Sequence, residues 1–167
     1  MERKLYLAAI VVTMVVGITI GVVGQKKTKV GKVCGDPMLS CKARDGFQPN
    51  ELPFDTGKNA VIAESEYFYA IVLRSTPALS EMDCEKPFPE SERLDIQQLF
   101  RDHKVFALRC DEPGSNYYTG VKSGAPFLAV YAGKTLAEAT KFLKDVQATK
   151  KFPGVKVRRM KAAINGT

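Results

Sequence analysis

The chain has 167 residues, a formal net charge of +7 and a single histidine, His103. This length suffices for one globular domain with its own core. Zinc sites need short pairs of cysteine or histidine at matched spacings, and four scattered cysteines with one histidine exclude such a site. The basic charge suits an anionic partner, such as acidic lipid headgroups, nucleic acid or a wall polymer, or else serves as a solubilising surface.

An uncharged segment lies near the start of the chain. Residues 1–4 form a short tail, and residues 5–24 carry no charge. A helix of this length would cross the ~30 Å hydrocarbon core of a bilayer, so the segment predicts a transmembrane signal anchor. A cleaved signal peptide is the alternative, although the run is longer than a typical signal core and lacks an Ala-x-Ala site. Gly17 and Gly21 share one face of this helix, a spacing that permits close helix packing.

The four cysteines all follow this segment. An even number of cysteines in an exported region of this size predicts two disulfides, with three pairings possible. We expect Cys34 to pair with Cys41 and Cys84 to pair with Cys110. This pattern favours an inner-membrane protein whose C-terminal domain lies in the periplasm or extracytoplasmic space.

Residues 25–60 are rich in glycine, proline, asparagine and lysine and keep neither a helical nor a strand period. This composition predicts a linker or extended arm that contains the local disulfide. Met38, Phe47, Leu52 and Phe54 in this arm are apolar enough to dock on the domain that follows.

Residues 61–162 show alternating strand and helix patterns, and residues 163–167 form a C-terminal tail. β-Branched and aromatic residues predict strands at 66–74, 104–109, 127–132 and 155–160. Acidic residues open a helix at 89–100, and Thr135 with Glu138 forms a capping box at the start of a second helix. The order β-α-β-β-α-β predicts an α+β fold, with two helices on one face of a four-stranded antiparallel sheet of the ferredoxin type.

This arrangement of a membrane helix, a linker and a β-α-β-β-α-β module resembles the bacterial SPOR (sporulation-related repeat) family over about residues 65–160. The best-matching segments are Phe127-Leu-Ala-Val-Tyr-Ala-Gly133, Thr135–Ala139 and Phe152–Arg159. The first strand departs from the family's Gln-x-Gly-Ser-Phe motif, because only Ser75 matches it. The resemblance implies a domain that binds peptidoglycan glycan strands stripped of their stem peptides.

The sheet face opposite the helices is the expected binding surface. If Tyr69, Ile71 and Leu73 point toward the helices, strand alternation turns their neighbours to the open face. Aromatic rings there would stack on sugars, and cations would bind anionic or acetamido groups. The expected glycan-binding residues are Phe68, Val72, Arg74, Arg109, Phe127, Tyr131, Lys156 and Arg158. A strand phase that is off by one residue would invert this set.

Catalytic patterns are absent from the sequence. It contains no Ser-His-Asp or His-Cys set and no phosphate-binding glycine loop, so we expect neither enzyme activity nor a cofactor or metal. RNA-recognition domains share the topology, but their glycine-aromatic signature is missing, and nucleic acid is not an expected partner. We expect the partners to be peptidoglycan or another anionic envelope polymer, and the membrane. The alternative is an accessory subunit that contacts partner membrane proteins.

Overall fold

Two helices, a central sheet and an outer sheet are stacked as three layers in the computed structural model of the chain. The structure describes residues 45–47, 51–55, 61–77, 87–109 and 116–165. The helices are α1 (Glu90–Leu99) and α2 (Leu136–Ala148). The strands are β1 (Phe54–Asp55), β2 (Ile62–Ser65), β3 (Phe68–Ser75), β4 (Val105–Leu108), β5 (Asn116–Tyr118), β6 (Phe127–Gly133), β7 (Val157–Met160) and β8 (Ala162–Asn165).

The central sheet has the strand order β4-β6-β3-β7, and each neighbouring pair is antiparallel. Because β3 and β4 both run antiparallel to β6, they are parallel to each other, as in a split βαβ unit. These four strands and the two helices match the segments that the sequence predicts, except that β3 extends to Ser75 and β6 to Gly133, one residue beyond the predicted ends. Their β-branched and aromatic side chains are buried on both faces of the sheet.

Both helices cover one face of the central sheet. The predicted capping box at the start of α2 is present: Glu138 N donates to Thr135 Oγ1 at 3.2 Å, and Thr135 N donates to Glu138 Oε2 at 2.9 Å. The same helix buries Ala139, Phe142 and Val146. They belong to the same buried cluster as alternate residues of the sheet, among them Ile71, Leu73, Val105, Leu128 and Val130.

The other face of the central sheet is covered by the outer sheet, which has the order β1-β2-β8-β5. The prediction of a single sheet with one open face is therefore wrong. Phe47 and Leu52, from the predicted arm, are fully buried in the core between the sheets. Part of the segment 25–60 thus belongs to the folded domain and supplies one wall of its core.

Two corners carry the chain from one sheet to the other. Residues 66–67 join β2 of the outer sheet to β3 of the central sheet, and Lys161 joins β7 to β8. The hydroxyl of Ser65 donates to Glu66 O at 2.8 Å and accepts from Ala162 N at 2.9 Å. This bridge fixes the two corners side by side.

The predicted transmembrane helix finds no support in the structure. In the part of the chain that the structure describes, no helix is long and apolar enough to cross a membrane. Residues 5–24, with Gly17 and Gly21, lie outside the described residues, and so do Cys34, Cys41, Cys84 and Cys110. Within the described residues, the fold is α+β and consists of two antiparallel sheets and two helices.

Candidate functional site

A cavity of about 620 Å³ lies at one end of the space between the two sheets. Val72 and Phe127 extend to it from the core between the sheets, and Val121 packs against the same core. The remaining lining comes from three segments of the chain: the end of β3, the loop between β5 and β6, and the start of β7. The other lining residues are Ser75, Thr76, Pro77, Gly120, Lys122, Ala125, Gly154, Val155, Lys156 and Arg158.

The loop between β5 and β6 reaches the cavity because Gly120 lies directly against β7. Gly120 has a φ of +81°, and a Cβ atom at this position would lie 2.3 Å from Arg159 O. Thr119 and Lys161 hold the loop in place: Thr119 N donates to Lys161 O at 3.0 Å, and Lys161 N donates to Thr119 Oγ1 at 2.9 Å. The cavity wall is therefore fixed by backbone contacts.

Three exposed cations, Lys122, Lys156 and Arg158, line this cavity, and none of the described residues that line it is acidic. Within the described part of the chain, none of the three forms an ion pair. Other basic residues do have acidic partners, such as Arg74 with Glu92 at 2.9 Å and Lys161 with Glu64 at 2.6 Å. Since no carboxylate of the described residues pairs with these cations, this part of the cavity wall is positively charged and attracts anions.

The structure brings together four of the eight residues expected to bind glycan. Val72, Phe127, Lys156 and Arg158 line the cavity, and the alternation predicted for β3, β6 and β7 holds at these positions. The other four lie elsewhere in the fold. They are Phe68, Tyr131, Arg74 and Arg109.

Phe68 and Tyr131 lie on the predicted face of the central sheet, but the outer sheet covers them. Their side chains are 0% and 9% exposed, and Phe47 lies between them and the outer sheet, with ring centroids 5.2 and 6.0 Å away. Neither ring is available to stack on a sugar. Burial, with a smaller contribution from the charge of Glu138, raises the pKa of Tyr131 to about 12, so its phenol stays neutral.

Arg74 was expected on the same face, and that expectation is wrong. A β-bulge interrupts the pairing of β3 with β6 between Val72 and Arg74. Bulges redirect side chains, and Arg74 binds Glu92 of helix α1 at 2.9 Å. A bulge leaves no mark in the pattern of hydrophobic residues, so simple alternation misplaces the residue.

Arg109 was also expected on the open face, and that expectation is wrong because it assumed the opposite strand phase for β4. In β4, Val105 and Ala107 face the helices, whereas Phe106 and Leu108 face the outer sheet. Alternation therefore directs Arg109 toward the helices, where it donates to Phe88 O at 2.9 Å and to Glu90 at 2.8 Å. It also pairs with Asp45. Arg109 thus secures the start of α1 and does not contact the cavity.

Two further polar side chains lie away from the cavity. Lys104 is buried and pairs with Glu51. His103 Nδ1 donates to Tyr131 O at 2.8 Å, and its ring stacks on Phe142 with a centroid distance of 3.5 Å. Both groups are held by the fold itself. The described residues contain no group of three or more histidine, cysteine, aspartate or glutamate side chains that could hold a metal ion.

Ser75, Thr76 and Lys122 line the cavity without having been predicted. Residues 115–126 are mostly polar and show no helical or strand period, so the sequence does not indicate that Lys122 and Arg158 line the same cavity. The glycines at 120 and 124 are the available signal, since both adopt positive φ. They indicate a fixed loop conformation but do not reveal what the loop approaches.

Comparison with known proteins finds no relative of the chain. No protein-family model, no curated protein and no solved structure matches the chain. The resemblance to the SPOR family therefore stays a prediction from the residues.

Proposed function

We propose that the chain is a non-enzymatic, extracytoplasmic binding domain whose cavity takes part of a cell-wall glycan strand. One observation carries this proposal: Lys122, Lys156 and Arg158 line the same cavity, and the described residues of its lining include no acidic one. This combination of positive charge and cavity volume favours an anionic ligand over a neutral one.

The chemistry of a glycan strand without stem peptides matches this lining. Its muramic sugars carry free carboxylates, and both of its sugars carry acetamido groups. The three cations can form charge-assisted hydrogen bonds with the carboxylates, while Val72 and Val155 offer apolar contact to the sugar faces. A cavity of about 620 Å³ lies in the range that holds small ligands, so it has room for a short part of a strand.

The sequence resemblance supports the same ligand class. It covers about residues 65–160, which include Phe127 and the three cations that line the cavity. Because the outer sheet covers the expected sheet face, we place the proposed contact in the cavity instead. The proposal therefore keeps Val72, Phe127, Lys156 and Arg158 as binding residues and omits Phe68, Arg74, Arg109 and Tyr131.

Co-sedimentation with purified sacculi from which stem peptides have been removed tests this proposal. The test variant combines Lys122→Gln, Lys156→Gln and Arg158→Gln. The matched control combines Lys141→Gln, Lys144→Gln and Lys151→Gln, which removes the same charge from exposed positions outside the cavity. We expect the unmodified chain and the control to sediment with sacculi and the cavity variant to stay in solution. If the unmodified chain does not sediment, or the two variants behave alike, the proposal fails.

A second candidate function is that of an accessory subunit that acts through protein contacts. It is favoured by the exposure of Val61, Ile62 and Tyr67, which are 58%, 50% and 48% exposed around β2. A photo-crosslinking residue placed at Ile62 tests it in cells. This function predicts one reproducible crosslinked protein that disappears with Val61→Asp, and it is contradicted if crosslinking at Ile62 gives no such product.

A further inference from the structure

The side chains that line the cavity offer many hydrogen-bond donors and few acceptors. Lys122, Lys156 and Arg158 end in ammonium and guanidinium groups, which carry N–H donors and no acceptor. The described lining adds the hydroxyls of Ser75 and Thr76, and the Thr76 oxygen is buried. A ligand group inside the cavity is therefore matched by these side chains when it accepts hydrogen bonds rather than donates them.

The three cations reach the cavity from two separate segments. Lys122 lies in the loop between β5 and β6, whereas Lys156 precedes β7 and Arg158 lies in it. A cavity of about 620 Å³ is roughly 10 Å across, which is about the distance over which 0.1 M salt screens a charge. A charged group bound anywhere in the cavity therefore interacts with these cations, which attract a negative group and repel a positive one.

Apolar side chains complete the lining. Val72, Pro77 and Val121 line the cavity and are at least partly exposed. An acetamido group has a carbonyl oxygen that accepts hydrogen bonds and a methyl group suited to apolar contact, so it matches both parts of the lining. De-N-acetylation turns this group into an ammonium, which carries only donors and a positive charge, and so matches neither part.

We propose that the cavity distinguishes the acetylation state of a glycan strand: it binds strands with N-acetylated sugars and rejects strands whose sugars carry free amines. Lys122, Lys156 and Arg158 are the specificity-determining residues. The inference rests on the proposed glycan-binding function and deepens it, because it names the class of strand. Like charges brought together at a binding site cost affinity and exclude the wrong ligand.

Three preparations of soluble glycan strands, all released from sacculi and free of stem peptides, test this selectivity. The first is fully N-acetylated, the second is chemically de-N-acetylated, and the third is de-N-acetylated and then acetylated again. The third preparation controls for damage during the treatment. We expect the unmodified chain to bind the second preparation roughly tenfold or more weakly than the first and the third.

Two substitutions locate the selectivity in the molecule. Lys156→Gln removes one cation of the lining and adds a carbonyl acceptor, so this variant should prefer the acetylated strands less. Lys144→Gln removes the same charge at an exposed position of α2 outside the cavity, and it should keep the preference of the unmodified chain. If both variants keep that preference in full, the selectivity does not arise in the cavity and the inference is overturned.

The binding of the unmodified chain separates this inference from the proposed function. If it binds acetylated and de-N-acetylated strands equally well, the inference is overturned while the proposed function stands. If it does not bind the acetylated strands at all, both are overturned.

Discussion

The ammonium group of Lys104 lies 3.0 and 2.9 Å from the two carboxylate oxygens of Glu51, and both side chains are buried. Burial lowers the pKa of Lys104, and the charge of Glu51 offsets part of that effect. The Lys104 ammonium also lies 5.4 Å from the ring centroid of Phe47. The pair joins the segment before β1 to the residue before β4, and so holds the predicted arm against the central sheet.

Replacing one member of this pair should strongly destabilise the domain. Lys104→Met leaves the Glu51 carboxylate buried without its cation, which costs about 3–5 kcal/mol in the free energy of unfolding. The double variant Lys104→Met, Glu51→Leu removes both charges and should recover most of that loss. Urea unfolding of the three proteins measures these differences. A single variant as stable as the unmodified chain would contradict the role assigned to the pair.

Two glycines of the cavity wall should respond differently to alanine. Gly120 and Gly154 both have positive φ, of +81° and +74°. Alanine at 154 has no atom within 4 Å of its Cβ, so it should cost only the left-handed backbone strain of about 1–2 kcal/mol. Alanine at 120 adds a collision with Arg159 O and should cost clearly more. Thermal unfolding compares the two, and equal losses would show that the close approach at Gly120 contributes nothing.

The acid stability of the domain should depend in part on Glu90. Hydrogen bonds from Arg93, and then from Arg109, hold the pKa of Glu90 below its ordinary value of 4.5. The unfolded chain therefore binds a proton at a higher pH than the folded one, and the contribution of Glu90 to stability is lost as the pH falls through its folded-state pKa. At neutral pH this contribution is fully present.

The melting temperatures of the unmodified chain and of Glu90→Gln, measured from pH 7 down to pH 3, test this dependence. The difference between them should be constant above about pH 5 and shrink as the pH falls below 4.5. Asp95→Asn, at an exposed position of the same helix, is the control for a general change of charge. A difference between the unmodified chain and Glu90→Gln that does not vary with pH would contradict the assignment.

The central sheet and its helices were predictable because their signals are strong and local. β3 and β6 are seven residues or longer and are rich in apolar residues, and the capping box at Thr135 marks the start of α2. The outer sheet carries no comparable signal. Its strands have two to four residues, too few to show a period. They also come from segments whose composition indicates a linker, a polar loop and a tail.

The same contrast, between strong local signals and contacts distant in sequence, explains which residues of the site could be predicted. The strand phase at Val72 and Phe127 follows from alternation, so these residues were correctly directed away from the helices. Whether that face is open depends on the outer sheet, which the sequence does not reveal. Thr76, Lys122 and Arg158 line the cavity from three separate segments of the chain, and such long-range proximity cannot be inferred from one sequence.

We expect a glycan strand to enter the cavity that Val72, Phe127 and the three cations line. A titration of isotope-labelled protein with soluble, peptide-free glycan strands, followed by nuclear magnetic resonance, tests this most directly. We expect amide shifts concentrated at Thr76, Gly120, Lys122, Gly154 and Lys156. These shifts should become smaller as salt is added, because ionic contacts are screened and binding weakens. Shifts confined to the outer sheet around Ile62, or no shifts at saturating glycan, would contradict it.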